Sequence, residues 1–349
     1  MKELKNIVPK GFDFSPKEWE NSFQNKTPLV VVPFISTRCN IDCIYCMMNE
    51  ERNSYSGTPL SLEEHEKILK DAYDMGARTM VITGIGESFM DPIFYDAKTH
   101  RLPLIEVAEK IGLYTIIFTN GQMITPTLAA NLYEHKVSLI LKLSSLDENV
   151  FSFLNNKKLI FERCICPDGV ERSVPYYLKN LFEAGFGKSL ENNATRLIAD
   201  VIITKKNIDE IPALIDFSLN NNMLVCIDPL VEKSNAVTNI DQLGITVEQN
   251  KNLYNLIKET FSEYDMDMYD LSKCIIHYNG LVYDLDGNVR RCLSVPSDAG
   301  NLLKEDIKTI WERVYKEKED SGHEYEDMVF EDIFGKCPGR CFYNYKSHS

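Results

Sequence analysis

The chain has 349 residues and is 44% hydrophobic, enough to bury a core in one large domain or in a large domain with a small companion. Its formal net charge of −14 argues against duplex nucleic acid or an anionic membrane face as a partner. No stretch reaches the length of a secretory apolar region or a membrane span, so the expected compartment is the cytoplasm; ten cysteines there are not expected to pair as disulfides, and their grouping needs another explanation.

Residues 1–28 read as an N-terminal extension. From Leu29 to Val231 one rhythm repeats: a short β-branched run, a loop, then an amphipathic helical stretch. The strand candidates are LVVVPFIS (29–36), TMVIT (79–83), YTIIFT (114–119), SLILKLS (138–144), RLIADVIIT (196–204) and MLVCIDPLV (223–231), and six such units imply a parallel sheet. Helix starts fall between them. Ser61 with Glu64 has capping-box spacing, and Thr125 before Pro126 supplies an N-cap with proline at the first helical position. Nearly continuous apolar strands require cover on both faces, which a doubly wound sheet and a curved partial barrel satisfy equally.

The stretch from Asp147 to Pro175 breaks the rhythm, and ERCICPDGVERSVP is expected to be an irregular loop or insertion at the edge or mouth of the sheet. The main domain, 29–268, should close with a helix over TVEQNKNLYNLIKETFSEY. Beyond it, GLVYDLDGNVRRC alternates around Asp286-Gly287 as a hairpin does, and a helix DIKTIWERVYKEKE follows. Residues 269–349 are therefore expected to form a small α+β domain.

Chemistry concentrates where the first strand ends. Cys39, Cys43 and Cys46 form C-x3-C-x2-C, and in parallel strand-first folds the loops at strand C-termini converge on the ligand-binding mouth. A structural zinc or a closed four-cysteine cluster would want a fourth ligand, which is not close by in sequence. Three thiolates on a cubane 4Fe-4S cluster would instead leave one iron open. Three buried cysteines, or a zinc site completed from afar, remain the plainer alternatives.

This spacing, with the aromatic Tyr45 just before the last cysteine, resembles the signature of the radical S-adenosylmethionine (radical SAM) enzymes. Further segments follow in the family's order. TGIGESFMDP (83–92) resembles its Gly-Gly-Glu motif, with Gly84, Gly86 and Glu87 in place to hold the methionyl amino group. FTNGQMIT, which carries Asn120, and KLSSLDE resemble later cofactor-contacting segments, and Ser144 is the expected contact to the ribose or the methionyl carboxylate. The resemblance spans about residues 30 to 230 and implies an α/β fold, a partial (β/α)6 barrel. It also implies S-adenosylmethionine as cofactor and a cluster whose open iron chelates it. The resulting 5′-deoxyadenosyl radical would take hydrogen from an inert C–H bond. A low-potential reductant such as flavodoxin or ferredoxin is the expected partner.

Other candidates carry a functional and a plain reading side by side. Arg196 could pair with a cofactor carboxylate or phosphate, or form a surface ion pair; Glu232 could contact substrate or move a proton, or be a solvated strand-end carboxylate. Cys164 and Cys166 could ligate metal, donate hydrogen or simply pack, and Cys226 reads as a small buried hydrophobe. In the tail, Cys274, Cys292, Cys337 and Cys341 resemble the twitch domain, a shortened SPASM extension. That resemblance implies one auxiliary 4Fe-4S cluster, although zinc would satisfy the same thiolates and the closing C-x3-C departs from the commoner C-x2-C.

The functional expectation is an oxidation or epimerisation of a sugar, aminocyclitol or nucleoside-type small molecule. Maturation of a ribosomally made peptide is the second reading within the enzyme class, and a non-catalytic iron–sulfur carrier or sensor is the reading from another class.

Overall fold

The computed structural model describes residues 7–135, 137–188, 193–228, 230–263, 279–293 and 295–322. All six expected strands form: β1 (Val30–Pro33), β2 (Thr79–Ile82), β3 (Tyr114–Thr119), β4 (Ser138–Lys142), β5 (Leu197–Ile202) and β6 (Leu224–Asp228). Each is shorter than or equal to its apolar run, because pairing ends where the loops turn away. The helices between them begin where the caps stand. Ser61 and Glu64 complete a reciprocal capping box on the helix Leu62–Met75, and the Thr125 side chain accepts from the Leu128 amide at the start of Pro126–Glu134.

The chain divides into two compact units. The first comprises 1–13, 39–53 and 117–269, and its strands lie in the order β6-β5-β4-β3, with β6 and β4 both parallel to β5. Its core is the apolar run of these strands packed under Pro126–Glu134, Tyr176–Ala184 and Ile211–Asn220, with Leu139, Leu141, Leu197, Ala199, Val201 and Leu214 buried. The second comprises 14–38, 54–116 and 270–349. There β1 lies parallel to β2 on one side and to a further strand, β7 (Gly280–Tyr283), on the other. β7 turns at Gly287, whose φ of 82° suits glycine, into β8 (Asn288–Arg290), so the expected hairpin forms.

One expectation needs correcting. The segment read as an irregular loop holds a helix, Glu148–Leu154, and a regular antiparallel hairpin pairing Phe161–Ile165 with Glu171–Pro175. The turn is Pro167-Asp168-Gly169: the Asp168 carboxylate accepts from the Val170 amide, and Gly169 takes a φ of 83°. Among the described residues no helix is long and apolar enough to cross a membrane.

Candidate active site

The three cysteines lie in the first unit, on a loop with little regular structure that is held by side chains from three other segments. Asn120, just past β3, donates from Nδ2 to Asn40 Oδ1 at 2.9 Å and to Cys39 Sγ at 3.8 Å. Asn155, at the end of Glu148–Leu154, receives the Cys43 thiol at 3.3 Å. The stretch after β6 clamps the loop's backbone: the Asn235 amide donates to the Cys46 carbonyl at 3.2 Å, its Nδ2 to the Cys43 carbonyl at 3.0 Å, and Asn239 Nδ2 to the Ile44 carbonyl at 3.2 Å. The sequence reading named Asn120 but missed Asn155, Asn235 and Asn239; nothing in a polar loop marks which asparagine folds back on a distant segment.

The chemistry of the donor set can be tested against a metal cluster. Burial pushes the Cys43 thiol up to about 12, and the neighbouring Cys46 and Cys39 push the same way, against Tyr45 and Lys142. The Cys43 thiol so placed ionises readily only if a cationic centre takes up the charge, which is what a cluster does for its ligands. Tyr45 packs its ring among Leu154, Ile202 and Leu243. Its hydroxyl is buried close to Cys43 and Ser144, yet meets no partner in hydrogen-bond geometry. The Tyr45 phenol and the Cys43 thiol are both donors side by side, and loss of the Cys43 proton to a metal would give the phenol an acceptor. The residues therefore fit a cluster with a polar cofactor next to it.

In the second unit, the glycine loop after β2 packs on the residues that lead into Cys39. A Cβ on Gly84 would stand 2.2 Å from the Ile35 carbonyl oxygen, and one on Gly86 2.2 Å from that of Arg38. The close approach these glycines permit is thus to the chain's own backbone. Glu87 is buried; its amide donates to the Arg38 carbonyl at 2.7 Å, and its carboxylate receives the Phe89 amide at 3.4 Å, capping a short 3-10 turn.

Other expected site residues are placed elsewhere. Arg196 precedes β5 at the end of the sheet opposite the cysteine loop, where Nε donates to the Val137 carbonyl and Nη2 to those of Leu132 and Tyr133. Its guanidinium lies over Phe186 and Tyr133, so it seals the C-terminus of Pro126–Glu134 and corrects the expected anion contact. Ser144 is fully buried; its Oγ accepts from the Ile202 amide and its carbonyl from Asn207 Nδ2, tying β4 to β5. Glu232 is exposed and has no side-chain partner among the described residues. Cys164 and Cys166 are buried in the hairpin, where their neighbours are Arg172, Asp168, Lys179 and Glu183 and none is from the cysteine loop. Burial pushes Cys164 up to about 11, which leaves an inert thiol. Of the tail cysteines, Cys292 is buried within the second unit, and Cys274, Cys337 and Cys341 lie outside the described residues.

The inward carboxylates are ones the sequence reading passed over. Lys142 Nζ lies 2.5 Å from Asp200 Oδ2, and Cys226 Sγ lies 3.6 Å from Asp228 Oδ1; Lys142 and Asp228 end β4 and β6, and Asp200 and Cys226 lie two residues before the ends of β5 and β6. Burial works to lower the Lys142 ammonium, but Asp200, Asp228 and Cys43 outweigh it and hold the group charged. Cys226 is accordingly no buried hydrophobe: burial, then Asp228 and Asp200, keep it a protonated thiol.

Parts of this chain are similar to known proteins. Residues 34–165 match the model of the Radical SAM superfamily. A probable GTP 3′,8-cyclase from Sulfurisphaera tokodaii is 25% identical over 186 residues, 53% of this chain and 50% of that one. A GTP 3′,8-cyclase from Staphylococcus epidermidis is 32% identical over 131 residues, 36% of each chain. The chain thus spans about half, or less, of the length of these curated relatives. Among solved structures, anSMEcpe with bound AdoMet superimposes with a TM-score of 0.59 at 17% identity, covering 90% of both chains. SuiB of Streptococcus suis bound to the precursor peptide SuiA gives 0.59 at 18% identity, over 86% of this chain and 69% of that one. At such identities the likeness is one of fold, an α/β architecture with a parallel sheet.

Proposed function

Since the chain carries a radical SAM domain over residues 34–165, we propose that it is a radical SAM enzyme that activates a C–H bond of a small molecule of sugar, aminocyclitol or nucleoside type, in an oxidation or epimerisation. The observation that carries this reading is the loop of Cys39, Cys43 and Cys46, three crowded thiols beside the buried Tyr45 hydroxyl. Bound there, a 4Fe-4S cluster and S-adenosylmethionine supply a carbon-centred radical strong enough to take a hydrogen atom from an unactivated carbon.

The chain's own residues prepare the place. Asn120, Asn235 and Asn239 hold the loop, and Asn155 accepts the thiol hydrogen that Cys43 would give up on ligation. Glu87 and the backbone around Gly84 and Gly86 are assigned to the methionyl ammonium, a carboxylate matched to a cation. The apolar wall of Tyr45, Leu154, Ile202 and Leu243 keeps water from one side of the loop. In the tail, Cys274, Cys292, Cys337 and Cys341 are proposed to ligate one auxiliary cluster, and a flavodoxin- or ferredoxin-type protein to supply electrons.

A second reading, maturation of a peptide, is favoured by the similar folds of anSMEcpe and SuiB, whose structures hold peptides. Anaerobically reconstituted protein, reduced and incubated with S-adenosylmethionine, should release 5′-deoxyadenosine, and Cys43→Ala should abolish both the release and the cluster's visible absorption. Release undiminished by Cys43→Ala, or none from wild type under strong reductant, would remove the proposal.

A further inference from the structure

We propose that Lys142, Asp200, Cys226 and Asp228 form the floor of a substrate cavity in the first unit, and that the floor takes a compound bearing a protonated amine. The inference deepens the function proposed above by naming the chemical class of its substrate, and it rests on that reading only for the reaction that follows binding.

Register brings the four groups together. Lys142 on β4 is the lateral partner of Asp200 on β5, which is the partner of Cys226 on β6, so the three side chains share one face in one row. Asp228 lies two residues further along β6, on the same face. Two residues earlier on that face the row is Ile140, Ile198 and Leu224, which shows what these strands carry where packing alone decides. Stability does not account for the change from an aliphatic to an ionic row, since a buried ion pair seldom outperforms well-packed apolar side chains. Lys142 and Asp228 also end β4 and β6, on the side where parallel α/β folds bind ligands.

Accessibility separates a cavity floor from a closed core. Of the Lys142 side chain 28% is open to solvent, while its partner Asp200 is 1% open. Cys226 and Asp228 are partly open as well. A sealed carboxylate beneath partly open polar groups is the pattern of a recess and not of a closed core. Tyr45 is 7% exposed, and the polar neighbours of its hydroxyl are Cys43, Asp200 and Ser144, so a further buried donor faces the same region.

Charge selects the ligand. Lys142 and Asp200 neutralise one another, which leaves the Asp228 carboxylate in excess. Among the described residues no Lys, Arg or His lies within ion-pair distance of Asp228; it accepts from the Cys226 thiol, and Lys142, already paired with Asp200, is the cation that feels its charge. A half-buried carboxylate in excess favours a cation and repels an anion. A protonated amine brings one positive charge and three donors, matched to Asp228 with Asp200 beside it. A sugar or cyclitol amine and a lysine side chain offer the same group, and the experiment separates the two sources.

The test is titration calorimetry on the anaerobically reconstituted full-length protein with S-adenosylmethionine present. One arm compares glucosamine with glucose, the other an acetylated Gly-Lys-Gly amide with its norleucine counterpart. In at least one arm the amine should bind on the order of 10- to 100-fold more tightly than its neutral match, the range for a buried charged hydrogen bond. Asp228→Asn should bring that ratio close to one, and Asp228→Glu should keep it. Since N-acetylglucosamine should bind no better than glucose, charge dependence can be read on the wild-type protein even if a variant does not fold. Equal affinities of amine and neutral match in both arms, or a preference that survives in Asp228→Asn, would overturn the inference. Binding is read without turnover, so failure here is distinct from failure to release 5′-deoxyadenosine.

Discussion

In the first unit Lys142 and Asp200 are held 2.5 Å apart as an ion pair, with Lys142 kept charged; in the second, His65 Nδ1 and the Tyr283 hydroxyl share a hydrogen bond at 2.9 Å as a neutral pair. Both pairs join one element to another, Lys142 half-buried against a sealed Asp200 and His65 buried against a buried Tyr283. They differ in what burial has done to charge. His65 is 3% exposed, and burial lowers it from the ordinary 6.5 to about 4, so it stays uncharged and serves to orient Leu62–Met75 against β7. Lys142 resists the same pressure because two carboxylates face it. The neutral pair is what folding by itself produces from a buried titratable group; the charged pair persists against its desolvation cost, and it does so beside the cysteine loop.

The largest effect is expected from breaking the charged pair on one side only. Asp200→Ala would strand the Lys142 ammonium in the interior and should cost near the lower end of roughly 3–5 kcal/mol, because Lys142 keeps 28% of its side chain open to water. Chemical denaturation would measure the loss. The double variant Lys142→Met with Asp200→Leu should recover most of it, since it restores the aliphatic row found two residues earlier. A double variant no more stable than Asp200→Ala alone would mean that the pair is itself a packing element and would erase the contrast.

Acid should break the neutral pair instead. Between 6.5 and about 4 the unfolded chain takes up a proton at His65 that the folded chain refuses. Stability is therefore intact above this window and falls as pH drops through it, by about 3 kcal/mol in full. Denaturation midpoints followed from neutral to acid pH in wild type and His65→Gln would show it, with a shallower slope in the variant. Equal slopes would remove His65 as the cause. The smallest effect sharpens the comparison: Tyr283→Phe removes the phenol that faces His65 and should cost about 1 kcal/mol, since one neutral hydrogen bond is lost with its ring packing kept.

The site was only partly legible from sequence, and the division follows the range of the interactions. The cysteine spacing, Tyr45 and the glycine loop are features of short segments, and the structure places each directly after the strand it was expected to follow. Arg196 and Ser144 show the limit. A lone arginine at a strand start and a serine at a strand end fit a cofactor contact and a structural tie equally well, and only the positions of Leu132, Val137 and Ile202 around them reveal the tie. The hairpin at 161–175 was missed for a different reason: Pro167-Asp168-Gly169 is a turn signal, but the charged residues on its strands mask their alternation.

What the chain's order of residues determined alone is the alternation of strands and helices, the caps that start those helices, and the triple-thiol loop, because each depends on contacts within a few residues and survives being read locally. What the tertiary structure decided is which side chains meet: residues 142, 200 and 226 become one row only when three separate strands settle into register, and no local pattern carries that register. The ionic floor beside the cysteines is thus a product of packing, since the free energy that holds its charges comes from segments far apart along the chain.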